Sequence, residues 1–438
     1  MKDSSITVGE NIKRIRKDLN LKQHELAGKD ITRNLISLIE NDKTPIYHNV
    51  ANIISINVNK ILYERGLDIY IQPEDILNPE RYEARKQANQ YIEKLTKRLE
   101  EKDYQFQLEE LNEIENFLNK WNFIDKKVKI YELLGDIFYN AKDSNREYYY
   151  YLKALEISYE HPFLKERYKI ILKLVSNYIL TEKFDEAIKL CNFALSTQDD
   201  IPNKYKGAFH YNCGLAYYYK KEYGNCLNEL IDAKYYVTTS DYREIKKILL
   251  LEGICNCELK NYNSAIRSYN KLLEVLEENC DPEELSLTYI NIAQTYIEME
   301  DMAKVMEFYT KANNSLQNIS EQCFELPKIL FSMVNICSYL NETNLCETYL
   351  LDALCLSENH KDKNLFSNIL SKLLDFYAET DQYSKVHMIL EAYSDKIYSI
   401  GINKDFIVIL KILYSLIQQN NNLDALQLIK NLLNKEVQ

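Results

Sequence analysis

The chain has 438 residues, 9 glycines and 7 prolines; that length admits two or three domains or one long array, and the scarcity of glycine and proline suits helices joined by short connections. Its net charge of −12 is uneven: residues 1–66 carry 11 Lys/Arg against 8 Asp/Glu, the remainder 43 against 58, so the acidic body is excluded from nucleic-acid binding and any such contact falls to the first segment. No apolar run reaches about 18 residues, which excludes a membrane span, and the opening "MKDSSITVGENIKRIRK" has no apolar stretch before its charges, which argues against a secretory leader and for a cytoplasmic protein.

In chain order, Val8, Ile12, Ile15 and Leu19 are spaced by four, three and four, one apolar face of a first helix. "LKQHELAG" reads as a short second helix with Leu26 and Ala27 facing inward and Gly28 stopping it. Ile31 then packs, and Thr32 is a good N-cap for a third helix whose buried side holds Leu35, Ile36 and Ile39. "HNVANIISINVNKIL" supplies one or two further helices.

Gln23, Glu25-Leu26-Ala27, Ile36-Ser37, Ile39-Glu40-Asn41 and Pro45 follow the order and spacing of a known motif. Residues 7–66 resemble the helix-turn-helix of the phage-repressor type, the Xre-like family. The resemblance implies that the third helix enters the major groove of operator DNA by its N-terminal end. Arg33 and Asn34 then fall where base edges are read: Arg matches guanine O6/N7 and Asn matches adenine. Ser37 lies one turn on. Gln23, Thr32, Asn41 and Lys43 match positions that hold phosphates, and Arg16 and Glu40 match a buried ion pair that serves stability. The turn between Ala27 and Thr32 is one residue shorter than in phage repressors, a spelling more like peptide-pheromone-sensing regulators of Gram-positive bacteria.

Residues 67–80, "LDIYIQPEDILNPE", hold two prolines and read as a linker between the 1–66 DNA-binding domain and the rest. From 81 to 438 the sequence repeats. Small or apolar residues recur at Gly135, Val175, Gly214, Gly253, Ala293, Val334, Leu373 and Leu413, at intervals of 39–41. Twelve residues after most of these anchors comes another small or apolar residue (Ala187, Cys226, Ala265, Val305, Cys346, Ala425), and four further on a bulky one such as Tyr151, Tyr269 or Ile429. Glu147 and Lys385 break the small-residue position, and residues 81–119 fit a further degenerate hairpin. The anchor order resembles the tetratricopeptide (TPR) family with a longer period. The expected fold is all-α: an N-terminal helix-turn-helix domain followed by a right-handed TPR-like superhelix of about nine helical hairpins.

In a TPR superhelix the first helix of each hairpin lines the concave face. Positions −6, −2, +1 and +5 from the anchors form one stripe there. From it Lys173, Asn212, Tyr219, Lys247, Asn291, Gln294, Asn335 and Tyr339 are the expected contacts of a bound peptide. A carboxamide offers donors and an acceptor to any peptide backbone, and a lysine can hold a carboxylate. The whole arrangement resembles the RRNPP family of intracellular peptide-pheromone receptors. That resemblance implies a transcriptional regulator acting in quorum sensing, with a short signalling peptide in the groove. It also implies a homodimer whose two helix-turn-helix units read a palindromic operator.

An enzyme is not expected: there is no phosphate-binding glycine loop, no HExxH, and the six histidines are scattered. No cofactor is expected. The ten cysteines include no zinc-type CxxC pair, so no metal is expected and the thiols read as small buried residues. The alternative to a peptide receptor is a TPR scaffold for a folded protein partner such as a response regulator.

Overall fold

The computed structural model describes residues 6–66, 70–160, 166–197, 201–237, 241–279 and 281–380, with parts of 382–393. All regular structure among the described residues is α-helical. The chain divides into two compact units between Ile201 and Pro202.

The first unit opens with α1 (Val8–Asp18), α2 (Gln23–Ala27), α3 (Arg33–Glu40) and α4 (His48–Glu64). A capping box starts α1: the Thr7 hydroxyl accepts from Glu10 N, and the Glu10 carboxylate accepts from Thr7 N. Ile12 and Ile15 of α1 bury against Leu26, Ile36, Ile39, Ala51, Ile54, Val58 and Leu62, the apolar face that the spacing required. A side chain at Gly9 would run into the Ile39 carbonyl, so glycine lets α1 cross close to α3. Gly28 ends α2 at φ +59°, in the left-handed region that favours glycine.

The stretch 67–80, expected as a linker, is folded from Tyr70 onward. Ile71 and Ile76 are each 1% exposed and complete the core of the head together with Tyr82. The two prolines that signal a break each occupy the first position of a helix, Pro73 in α5 (Pro73–Leu77) and Pro79 in α6 (Pro79–Glu101). There the missing N–H would have had no partner anyway. α7 (Leu108–Lys120) meets α6 through Lys94–Glu110 at 2.6 Å, Arg98–Glu110 at 2.9 Å and the Tyr91 and Phe117 rings.

Helical hairpins follow. The first unit holds α8 (Ile124–Asn140) with α9 (Ser144–Ser158) and α10 (Glu166–Leu180) with α11 (Phe184–Ser196). The second holds α12 (Asn203–Tyr219) with α13 (Tyr223–Tyr236), α14 (Tyr242–Glu258) with α15 (Tyr262–Asn279), α16 (Pro282–Glu298) with α17 (Met302–Leu316), α18 (Leu326–Tyr339) with α19 (Thr343–Asn359), and then α20 (Lys363–Glu379). The anchor rule has a packing reason. A side chain at Gly135 would strike the Tyr151 ring and one at Gly253 the Tyr269 ring, so a small residue on the first helix admits the bulky one sixteen positions on. Ala187, Cys226, Ala265, Val305 and Cys346 are all buried. Glu147, which breaks the small-residue position, is buried nonetheless at 3% exposure. Lys385, the other exception, pairs with Glu347 at 2.6 Å. The expected hairpin at Leu413, Ala425 and Ile429 lies outside the described residues.

Each hairpin turn uses the same device. Lys142, Glu182, Lys221, Lys260, Glu300 and Asn341 all have φ near +60°. The following N–H reaches back to the carbonyl five residues earlier, as in Asp143 N to Phe138 O at 3.0 Å and Glu222 N to Tyr217 O at 2.9 Å. This is the Schellman closure of a helix C-terminus, made here by residues other than glycine.

Candidate nucleic-acid interface and repeat surface

Thr32 caps α3, its hydroxyl accepting from Leu35 N at 3.2 Å. The helix then sorts its residues by side. Ile36 and Ile39 are buried, while Thr32, Arg33 and Asn34 at its N-terminal end are exposed. Ser37 is half-buried one turn on, and Asn41 and Lys43 are exposed beyond the C-terminal end. The seven residues expected at DNA are thus gathered around one short helix, six of them on α3 and its two ends, with Gln23 at the start of α2.

Two of these side chains have partners that sequence reasoning missed. The Gln23 amide donates to Glu40 Oε2 at 2.8 Å, and the Asn41 amide donates to Ser37 O at 2.7 Å. Both are held in place from within. Glu40, 2% exposed at its side chain, receives Arg16 through two contacts, Nε to Oε1 at 2.6 Å and Nη2 to Oε2 at 3.1 Å. The hydrogen bond to Glu40 raises the Arg16 pKa against the opposing effect of burial. This forked, charge-assisted pair pins α1 to α3 from inside, in keeping with a structural role.

The turn is also held by residues that no motif marked. Asn57 of α4 donates its amide to Leu26 O at 3.0 Å and Ala27 O at 3.1 Å, closing the C-terminus of α2. Asp42 accepts from Thr7 Oγ1 at 2.6 Å and Gly9 N at 3.2 Å, tying the end of α3 to the start of α1. Both look like ordinary surface polar residues in the sequence. Their role depends on contacts 30 or more positions away.

The repeat stripe is less uniform than its spacing implied. Lys173 on α10 meets Glu132 Oε1 and Asp136 Oδ1, both at 2.6 Å, so its charge is matched within the protein. Glu132, 2% exposed, also faces Lys129 at 3.3 Å and Lys169 at 2.9 Å. Burial works against its ionisation, but the hydrogen bonds and charges of the lysines outweigh it and hold the carboxyl at about 2. Asn212 donates to Ala208 O on its own helix at 2.8 Å, and Lys247 pairs with Glu244 at 2.9 Å. Tyr219 is 51% exposed and edge-on to Tyr218. Asn291 and Gln294 on α16, and Asn335 and Tyr339 on α18, form no side-chain hydrogen bond among the described residues. α14 packs on both α12 and α16, and α16 on α18, so the stripe residues of the second unit occupy one layer of first helices.

Among the described residues no group of three or more His, Cys, Asp or Glu could hold a metal ion, and no helix is long and apolar enough to cross a membrane. Cys255 is fully buried and Cys257 half-buried.

Among the described residues these features define an all-helical protein in which a compact group of short helices precedes tandem antiparallel hairpins. No protein-family model matches the chain, and no curated protein does. Among solved structures it is similar to the apo form of the quorum sensor NprR from B. thuringiensis, at 14% identity over 87% of this chain and 99% of that one, with a TM-score of 0.54. It is also similar to aspartyl phosphate phosphatase F from Bacillus subtilis, at 16% identity over 91% and 94% of the two chains, with a TM-score of 0.49. The likeness to the first is one of fold: a TPR-like helical repeat.

Proposed function

We propose that the chain is a cytoplasmic transcriptional regulator. Residues 1–66 bind double-stranded operator DNA, and the repeats from 81 onward bind a short signalling peptide and pair two copies into a homodimer. The observation that carries the reading is the exposed Arg33–Asn34 tip of α3, on a helix whose opposite side is buried, in the basic segment of an acidic chain. Arg33 and Asn34 read base edges, with Ser37 behind them. Thr32, Asn41 and Lys43 hold phosphates, and Gln23, which spends one amide hydrogen on Glu40, offers the second to the same backbone. The fold likeness to a quorum sensor supports the sensing half of the reading. On that half, Asn291, Gln294, Asn335 and Tyr339 are the contacts best placed to serve a peptide, because their polar groups form no side-chain hydrogen bond among the described residues.

The test is selection from a pool of random duplexes by the full-length chain, repeated with Arg33→Ala and Lys43→Ala. The wild type should enrich a palindromic site. Arg33→Ala should lose about 1–3 kcal/mol on it and relax one base position in each half. Lys43→Ala should weaken all sequences alike and flatten the dependence on salt. Enrichment of the same site by Arg33→Ala would show that α3 is not the reading helix. Failure of the wild type to enrich any duplex, with stable capture of a folded protein, would replace this reading with that of a repeat scaffold.

A further inference from the structure

The head is joined to the first repeat helix by a buried polar cluster that neither DNA reading nor peptide binding uses. Asn11 of α1 is fully buried, and its amide donates to both Asp75 O and Ile76 O at 2.9 Å while its oxygen accepts from Arg14 at 3.1 Å. Arg14 continues to Pro79 O at 3.2 Å. The Asp75 side chain, with no exposure, faces Arg81 at 3.0 Å and Arg85 at 2.7 Å. Both guanidinium groups lie over the ring of Phe123, at 4.6 and 4.7 Å, where α8 begins. Two arginines and one carboxylate taken out of water cost stability unless the geometry is well satisfied. Such clusters are of use where one arrangement must be held against others. The same α1 is fastened to α3 through Asp42 and the close crossing at Gly9. A continuous set of contacts therefore runs from the C-terminal end of α3 through α1 and α5 to α6 and the start of α8.

We propose that Asp75 and Asn11 are positioning residues for the DNA-reading helix: they fix the head to α6 as one body, so that the repeats and not a flexible connector set where α3 points. This rests on the reading of α3 as the DNA-recognition helix of a dimer. A dimer whose second head is already aimed at its half-site binds it at high effective concentration; a loosened head loses that advantage while keeping its own contacts. The cost of a loose joint therefore appears on a site with two halves and not on a site with one.

Asp75→Asn removes the charge with little change of shape, and Arg81→Lys keeps the charge but loses the planar fork. Each is measured against the wild type on the selected two-half duplex and on a duplex carrying a single half. We expect binding to the two-half duplex to weaken about tenfold or more, and binding to the single half to stay within about twofold. Equal weakening on both duplexes, or none on either, overturns the inference. Native-state hydrogen exchange supplies a second readout that needs no DNA and separates failure of the joint from failure of the DNA reading. Amides of α1 and of the first half of α6 should open together in the wild type and separately in Asp75→Asn. Separate opening in the wild type overturns the inference even if DNA binding holds.

Discussion

Glu132 stands among three ammonium groups with almost no access to water, and its carboxyl is held at about 2 against an ordinary 4.5. A folded-state pKa below the unfolded one means that the stabilisation is fully present above about pH 4.5 and is lost as pH falls through about 2. The shift corresponds to at most about 3 kcal/mol. Glu132→Gln should therefore destabilise the first unit at pH 6, and the gap between variant and wild type should narrow steadily as pH is lowered toward 2.5. Denaturant midpoints across that range check it; a gap that stays constant from pH 6 to pH 3 would mean that the lysines contribute packing and not charge. At this scale the sequence disclosed what local chemistry controls. The exposed Arg33–Asn34 tip and the Arg16–Glu40 pair follow from an apolar face at helical spacing and from a family pattern. Asn11, Asp42, Asn57 and Asp75 gave no signal, because a polar residue in a short window reads as surface. For Asn11, Asp42 and Asn57 only a partner 30 to 65 positions away reveals the contact, and for Asp75 only the fold shows that Arg81 and Arg85, 6 and 10 positions on, close over it. Lys173 was visible as a stripe residue for the same local reason, and its two carboxylate partners, 37 and 41 positions earlier, were not.

The helical hairpin shows why the period was legible while the boundary at 67–80 was not. Contact between first and second helix demands a small residue opposite a large one, as at Gly253 and Tyr269, and that demand recurs with every hairpin whatever the loops contain. Proline carries two meanings, breaker and first helical residue, which a sequence window does not separate. Pro73 and Pro79 took the second meaning, and so did Pro282. The hairpin turns supply a test of their own. Each closes on a residue in the left-handed region that is not glycine, where an L side chain costs about 1–2 kcal/mol. Lys221 is exposed and makes its turn through the backbone alone, Lys221 N to Tyr218 O at 2.8 Å. Lys221→Gly should relieve the strain, offset in part by the greater freedom of glycine in the unfolded chain. The net gain should be up to about 1 kcal/mol, read as a rise in Tm. A fall in Tm would show that the lysine side chain contributes more to the turn than its backbone conformation costs.

On the scale of the whole molecule, a basic segment of net charge +3 precedes an acidic remainder of −15, and the proposed regulator requires that the task proposed for one influence the task proposed for the other. A peptide changes operator binding only through a difference in its affinity for the DNA-competent and DNA-incompetent arrangements, commonly ~1–3 kcal/mol. Linkage makes the effect reciprocal: operator DNA must change peptide affinity by the same factor, about 5–150-fold. Short peptides panned from a randomised library on the full-length chain provide the probe, with the selected duplex as the second ligand. Asn291→Ala and Asn335→Ala together should weaken peptide binding and remove its influence on the duplex, because these carboxamides have no side-chain hydrogen bond among the described residues to lose. Affinity for the duplex without peptide should stay at the wild-type value. Arg33→Ala should do the converse, weakening the duplex and leaving peptide affinity alone. Titrating each ligand in the presence and absence of the other gives the coupling twice, independently. If operator affinity is the same with and without saturating peptide, the two ends act alone and the chain is not a peptide-controlled switch, whatever each end binds.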